Sequence, residues 1–149
     1  MNSSIKIAAI ACGVLLCGGV QVANASCTSG DLIKSNGPAP NIGSVLTGNT
    51  VCATLGSDKW QEYHQTGGNL YDYKKGPSDP VDPTTQVGTW GISGNGSNSV
   101  ISYTYGSTTY TYSFCGLPAG GPYTSYNFQP NTTGSLVTGA TVHAGQVGC

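Results

Sequence analysis

The stretch "VISYTYGSTTYTYSFC", residues 100–115, limits the fold of this chain more than any other segment. Large apolar or aromatic side chains alternate in it with Ser and Thr, which is the period of two expected of a half-buried strand. Gly106 followed by Ser107 suits a two-residue type II′ turn, in which glycine takes the first position. Counting outward predicts one aromatic face with the pairs Tyr105 and Thr108, Tyr103 and Tyr110, and Ile101 and Tyr112. It predicts a hydroxyl-rich face with the pairs Thr104 and Thr109, Ser102 and Thr111, and Val100 and Ser113.

The rest of the chain also indicates an all-β fold. "NLYDYKKG" and "QVGTWGI" read as strands, and segments rich in Gly, Ser, Asn and Pro separate them. Long amphipathic helical patterns are absent from the sequence. We therefore predict an all-β domain, a small antiparallel barrel or sandwich with one short helix, stapled by two disulfides.

The short helix is predicted within "SDKWQEYHQTGG", residues 57–68. An acidic residue can cap its start, and two glycines can end it. On a helix, Trp60 and His64 share a face because they are four residues apart, and Glu62 points elsewhere. Three prolines then recur at every third position after Gly76, which favours an extended connection.

The amino terminus has the three parts of a secretory signal peptide. Lys6 precedes an apolar run from Ile7 to Leu16, and small residues follow at Ala23 and Ala25. The apolar run is shorter than the roughly 20 residues that span a bilayer. We predict that residues 1–25 are a signal peptide, that residues 26–149 form one β-rich domain, and that the protein is secreted to the periplasm or the extracellular space.

Four cysteines remain after the predicted cleavage: Cys27, Cys52, Cys115 and Cys149. An even number in an exported chain indicates disulfides, and four cysteines allow three connectivities. We favour Cys27 with Cys52 and Cys115 with Cys149, because each pair encloses one loop-rich segment. Zinc sites use closely spaced Cys-x-x-Cys pairs, which this sequence lacks, so we expect no metal and no other cofactor.

Charge is distributed very unevenly along the chain. The whole sequence has five Lys and Arg residues against six acidic residues, and no charged residue occurs from Pro83 to Cys149. The absence of a basic cluster argues against nucleic acid as a partner. Charged side chains normally keep strand edges from pairing with other molecules. Uncharged strands therefore predict self-association as a filament or surface-layer subunit.

The candidate functional residues lie around the predicted helix and the strand that follows it. Trp60, His64 and Trp90 could bind a glycan or a small apolar ligand, because sugars stack on aromatic rings. Glu62 with Asp72 or Asp79 could supply the two carboxyl groups of a glycosidase. No G-x-S-x-G or comparable motif selects a nucleophile, so we predict no catalytic residue. The favoured interpretation of His64, and of Tyr103, Tyr110 and Tyr112 on the aromatic face of the hairpin, is that they belong to the core.

Two resemblances add to these interpretations. Residues 60–90 resemble a group of small exported bacterial proteins that share Trp-Gln, a His, Asp-Tyr-Lys, Pro-Val-Asp-Pro-Thr and Val-Gly-Thr-Trp in this order. This resemblance implies secretion and a common fold but no activity. Gly88-Thr89-Trp90 is similar to the Gly-x-Trp opening of lipocalin-type and avidin-type barrels, in which the Trp closes the floor.

Three functions follow, in order of preference. The first is a secreted, non-catalytic structural subunit that assembles through uncharged strands. The second is a module that binds a carbohydrate or another small ligand. The third is a small exported hydrolase.

Overall fold

A computed structural model describes residues 26–74 and 85–149 of the chain. The predicted signal peptide and the proline-spaced connection, which contains the glycosidase candidate Asp79, lie outside the described residues. The described chain consists of nine strands, one α-helix and one 3-10 turn. The strands are β1 (Asp31–Leu32), β2 (Asn49–Leu55), β3 (Asp58–His64), β4 (Asn69–Lys74), β5 (Thr85–Ser93), β6 (Val100–Tyr105), β7 (Thr108–Leu117), β8 (Ser125–Pro130) and β9 (Val137–Ala144). The helix α1 is Ile42–Leu46, and the 3-10 turn is Gly96–Asn98.

Eight of the strands close into an antiparallel barrel. Their order is β7, β6, β5, β4, β3, β2, β9 and β8, and a second pairing of β8 with β7 completes the ring. The short strand β1 is additional and pairs with the far part of β7. The predicted all-β fold is confirmed, and the structure selects a barrel over a sandwich.

The hairpin at residues 100–115 has the predicted register. Five cross-strand pairs, from Ile101 with Tyr112 to Tyr105 with Thr108, are those obtained by counting from the turn. Gly106 has a φ of 58°, which a type II′ turn requires at its first position. On the aromatic face, Ile101 and Tyr103 are almost fully buried.

The helix predicted at residues 57–68 is wrong. These residues form β3 and the turn that leads into β4. β3 pairs along most of its length with β2 on one side, and its second half, from Gln61 to His64, pairs with β4 on the other. A helix of this length gains little stability by itself, whereas a central strand gains a ladder on both edges. The α-helix found among the described residues is α1, which lies earlier and is capped by the Asn41 side chain.

The disulfides also differ from the favoured connectivity. Cys27 bonds to Cys115, and Cys52 bonds to Cys149. The pairing of β1 with β7 returns the amino-terminal segment to Cys115, since Leu32 lies opposite that residue. The prediction that each disulfide closes one local segment is wrong, because the barrel brings distant parts of the chain together.

The carboxyl-terminal tail covers the outer side of β2 and β3. The Thr50 hydroxyl donates to the Gly145 carbonyl at 2.7 Å and accepts from the Val147 amide at 3.2 Å. The Cys149 amide donates to the Gln61 side chain at 2.6 Å. Thr50 and Gln61 are buried although they lie on the outward-facing side of their strands.

One end of the barrel is filled and the other is open. At the filled end, α1 buries Ile42 and Leu46 in the hydrophobic core, and Ile92 near the end of β5 lies beside Gly43. At the open end, β2, β4 and β6 finish, and β3, β5 and β7 begin. No helix in the described part of the chain has the length and apolar character needed to cross a membrane.

Candidate ligand-binding site

A cavity of about 550 Å³ occupies the open end of the barrel. We call it the mouth cavity; it is lined by Trp60, Glu62, Asp72, Val87, Tyr105, Thr108 and Tyr110. An adjoining cavity of about 320 Å³ shares Trp60, Tyr105 and Tyr110 with it. Its remaining lining residues are Leu55, Tyr112, Gly134, Ser135 and Val137. The rings of Trp60, Tyr105 and Tyr110 therefore line both cavities.

Glu62 reaches the mouth cavity because β3 is a strand. Side chains two residues apart on a strand point to the same side, so Glu62 lies between Trp60 and His64 on the inward face. The prediction that Glu62 points away from them is wrong, because the period is two rather than 3.6. Glu62 is only 3% exposed.

The environment of Glu62 favours its protonated form. Burial raises the pKa of this carboxyl group to about 8, and the nearby Asp72 contributes in the same direction. Hydrogen bonds from the Trp60 and Tyr105 side chains oppose the increase. The Tyr105 hydroxyl lies 2.7 Å and 2.9 Å from the two carboxyl oxygens. Glu62 therefore carries a proton through most of the neutral range unless a cation is placed beside it.

Asp72 lies opposite Glu62 in the register of β4 with β3. Directly opposed residues of an antiparallel pair point to the same side, with their Cβ atoms about 5 Å apart. Of the two carboxyl pairs that the sequence suggested for a glycosidase, Glu62 and Asp72 are thus brought to one cavity. Such a pair could exchange protons with a bound molecule or attract a cation.

His64 belongs to a buried network beyond the mouth cavity. Its ring contacts Trp90 edge to face, with centroids 5.0 Å apart, and the imidazole has no solvent exposure. Nδ1 lies 3.1 Å from the Glu62 carbonyl oxygen. Since that carbonyl can only accept, Nδ1 carries the hydrogen, and Nε2 accepts from the Tyr103 hydroxyl at 2.8 Å. Burial lowers the pKa of His64 to about 3, so the ring is neutral at physiological pH.

The three predicted ligand-binding residues therefore occupy different places. Trp60 lines the mouth cavity and the adjoining one. Trp90 is 9% exposed, and its indole N–H donates to the Gln65 carbonyl at 3.1 Å, toward the filled end. Neither His64 nor Trp90 lines these two cavities. Within the described residues, no group of three His, Cys, Asp or Glu side chains could hold a metal ion.

Sequence reasoning did not associate with Trp60 three side chains that line the two cavities at the open end, namely Glu62, Tyr110 and Tyr112. It placed Tyr110 and Tyr112 in the core, whereas both are only partly buried and line cavities at the open end. It also separated Glu62 from Trp60. The alternation of inward Trp60 and Glu62 with polar Lys59 and Gln61 was the signal that could have indicated a strand.

The fold and the site define a closed eight-stranded antiparallel barrel, filled at one end, with an aromatic and acidic cavity at the other. No family model, curated protein or solved structure matches the chain. The resemblances to small exported bacterial proteins and to lipocalin-type and avidin-type barrels thus remain predictions.

Proposed function

We propose that this protein is a secreted, non-catalytic module that binds a small molecule in the mouth cavity. The observation that supports the proposal is a cavity of about 550 Å³ at the open end of the barrel. Small-molecule sites usually measure about 300 to 1,000 Å³ and combine apolar walls with a few polar groups. Here Trp60, Tyr105 and Tyr110 form the walls, and Glu62 and Asp72 supply the polar groups.

Export is part of the proposal. The predicted signal peptide and the two disulfides support it, since disulfides persist in oxidising compartments. The closed barrel suits a binding protein in such a compartment, because a ligand can enter at one end without breaking the hydrogen bonds between the strands.

Titration with the neutral fluorescent probe N-phenyl-1-naphthylamine tests ligand binding. We expect a saturable increase in probe fluorescence and quenching of tryptophan emission. Tyr110→Ala removes one aromatic wall, and loss of such a contact is worth about 1 kcal/mol, so affinity should fall roughly fivefold.

Tyr63→Ala provides the matched control. Tyr63 lies on β3, on the side opposite to Trp60 and Glu62, and it does not line the two cavities at the open end. Its truncation should leave probe affinity unchanged. Equal loss in the two variants, or no saturable binding to the wild type, would contradict the proposal.

Self-association is the second candidate. The observation that favours it is the uncharged outer face of the hairpin, where the Thr104 and Thr109 hydroxyls lie 2.8 Å apart and are exposed. Closure of the barrel pairs the long edges of all eight ring strands, so assembly would have to proceed through side chains rather than through strand addition.

Analytical ultracentrifugation of the secreted protein checks this second candidate. A self-assembling subunit should sediment increasingly fast as concentration rises from micromolar to millimolar. Thr104→Lys together with Thr109→Glu would add charges to the uncharged face and should suppress the association. A constant monomeric sedimentation coefficient in the wild type would eliminate this candidate.

A further inference from the structure

The mouth cavity combines aromatic walls with acidic groups, and this combination selects a class of ligand. From this combination we propose that the cavity binds a small organic cation, with an alkylated ammonium group held against Trp60, Tyr105 and Tyr110 and facing Glu62 and Asp72. The inference rests on the proposed ligand-binding function and specifies its ligand.

The aromatic rings are the first part of the argument. The Tyr105 and Tyr110 rings lie 6.2 Å apart with their planes inclined at 56°, so they form two walls that meet at an angle. Trp60 lines the same space, and its ring is held edge to face against Phe128 at 5.6 Å. A cation within about 6 Å of an aromatic ring face is attracted by the negative quadrupole of the ring. Several such rings around one space favour a methylated or quaternary ammonium group.

The charges are the second part. Glu62 and Asp72 are the ionisable acids of the described lining, and no Lys or Arg is present among those lining residues. On β3, Lys59 alternates with Trp60 and Glu62 and therefore points outward. A negative ligand would be repelled by an ionised carboxyl group, and a neutral ligand would gain only hydrogen bonds from these groups. A positive ligand gains from an ionised Glu62 beside it.

Binding of a cation is expected to be coupled to release of the proton from the buried Glu62 carboxyl group. Among the described residues, the ionisable groups that face Glu62 are Asp72 on β4, Tyr103 and Tyr105 on β6, and Tyr110 and Tyr112 on β7. None of these supplies a positive charge, and the neutral His64 on the same strand supplies none either. A bound cation would be the positive partner of Glu62, so it favours the ionised carboxylate and releases a proton. Affinity for a permanent cation should therefore rise with pH until Glu62 is ionised without the ligand.

Choline and 3,3-dimethylbutan-1-ol form a suitable pair of probes. They have nearly the same shape, but choline has a permanently charged nitrogen where the alcohol has a carbon atom. We expect NMR titration of the full disulfide-bonded protein to give at least fivefold tighter binding of choline at pH 8. Between pH 6 and pH 8 the choline affinity should increase by up to about tenfold per pH unit, because the fraction of protein with an ionised Glu62 grows.

Glu62→Gln is the diagnostic variant, because Gln keeps the shape and can still accept from Tyr105. It should weaken choline binding about tenfold at pH 8 and abolish the pH dependence. Asp31→Asn is the matched control: it removes the same charge, but Asp31 binds the Gly120 amide and the Tyr123 hydroxyl away from the mouth cavity. This control should bind choline like the wild type.

The outcomes separate the inference from the proposed function. Equal binding of the two probes, or tighter binding of the alcohol, would overturn the cation inference while supporting a small-molecule site. Tighter choline binding that is unchanged by Glu62→Gln and by pH would also overturn it. Binding of neither probe overturns the inference, and the naphthylamine titration then decides the proposed function separately.

Discussion

Phe128→Ala is expected to lower the free energy of unfolding by about 3 to 5 kcal/mol, the usual cost of truncating a buried phenylalanine. Phe128 has no solvent exposure. Its ring contacts Phe114 at 5.0 Å, Trp60 at 5.6 Å and Tyr103 at 6.1 Å between centroids. Truncation would therefore leave a cavity at the centre of the aromatic core. Equilibrium denaturation with the disulfides intact measures the loss.

Leu136→Ala is the control for this prediction. Leu136 is 45% exposed, so its truncation should change stability by less than about 0.5 kcal/mol. Because Phe128 supports the Trp60 ring, Phe128→Ala should also weaken probe binding in the mouth cavity. A loss below 1 kcal/mol, equal to that of the control, would mean that Phe128 is not the centre of the core.

The pH dependence of stability is expected to show a plateau between about pH 4.5 and 6.5. The pKa of Glu62 rises from 4.5 to about 8 on folding, so the native state binds more protons and stability falls as pH rises through this range. The pKa of His64 falls from 6.5 to about 3, so stability falls as pH decreases through that range. The two slopes cancel where the ranges overlap.

The free energy of unfolding is expected to decrease on both the acidic and the alkaline side of the plateau. The size of each decrease follows from the pH range in which only one of the two groups titrates. From pH 6.5 to pH 8 only Glu62 contributes, and from pH 4.5 down to pH 3 only His64 does. Each interval corresponds to about 2 kcal/mol, since one pH unit is worth about 1.4 kcal/mol. Denaturant titrations at a series of pH values measure the profile.

Glu62→Gln separates the two contributions. Without the carboxyl group, stability should rise by about 3 kcal/mol from pH 4.5 to 6.5 and then stay constant to pH 8. If this variant still loses stability between pH 6.5 and pH 8, a group other than Glu62 causes that loss. If the wild type does not lose stability between pH 6.5 and pH 8, Glu62 ionises freely in the folded protein.

The hairpin at residues 100–115 could be predicted to the level of individual residue pairs. Its strands are adjacent in sequence, and a two-residue turn fixes which residues lie opposite one another. The register of Tyr103 with Tyr110 therefore depends only on local geometry. The strands at residues 69–74 and 85–93 were recognised for the same reason, since their alternation is local.

The candidate site was harder to predict because it depends on the period assigned to β3. Local signals in this segment satisfied the rules for a helix, with possible caps and two terminal glycines. Pairing with β2 and β4 overrode those signals, and the change from helix to strand moved Glu62 from the opposite side to a position between Trp60 and His64. A single error in secondary structure thus hid the acidic group of the site.

The all-β character, the hairpin register and the four cysteines available for two disulfides can be read from the amino-acid sequence. These follow from composition and from neighbours along the chain. The disulfide partners, the strand at residues 58–64 and the cavity shared by Trp60, Glu62, Asp72 and Tyr105 depend on the folded barrel. Most ring strands pair with their neighbours along the chain, but closure of the barrel is non-local: it joins β2 to β9, which lie far apart in the sequence, and no local pattern encodes that these two strands will meet.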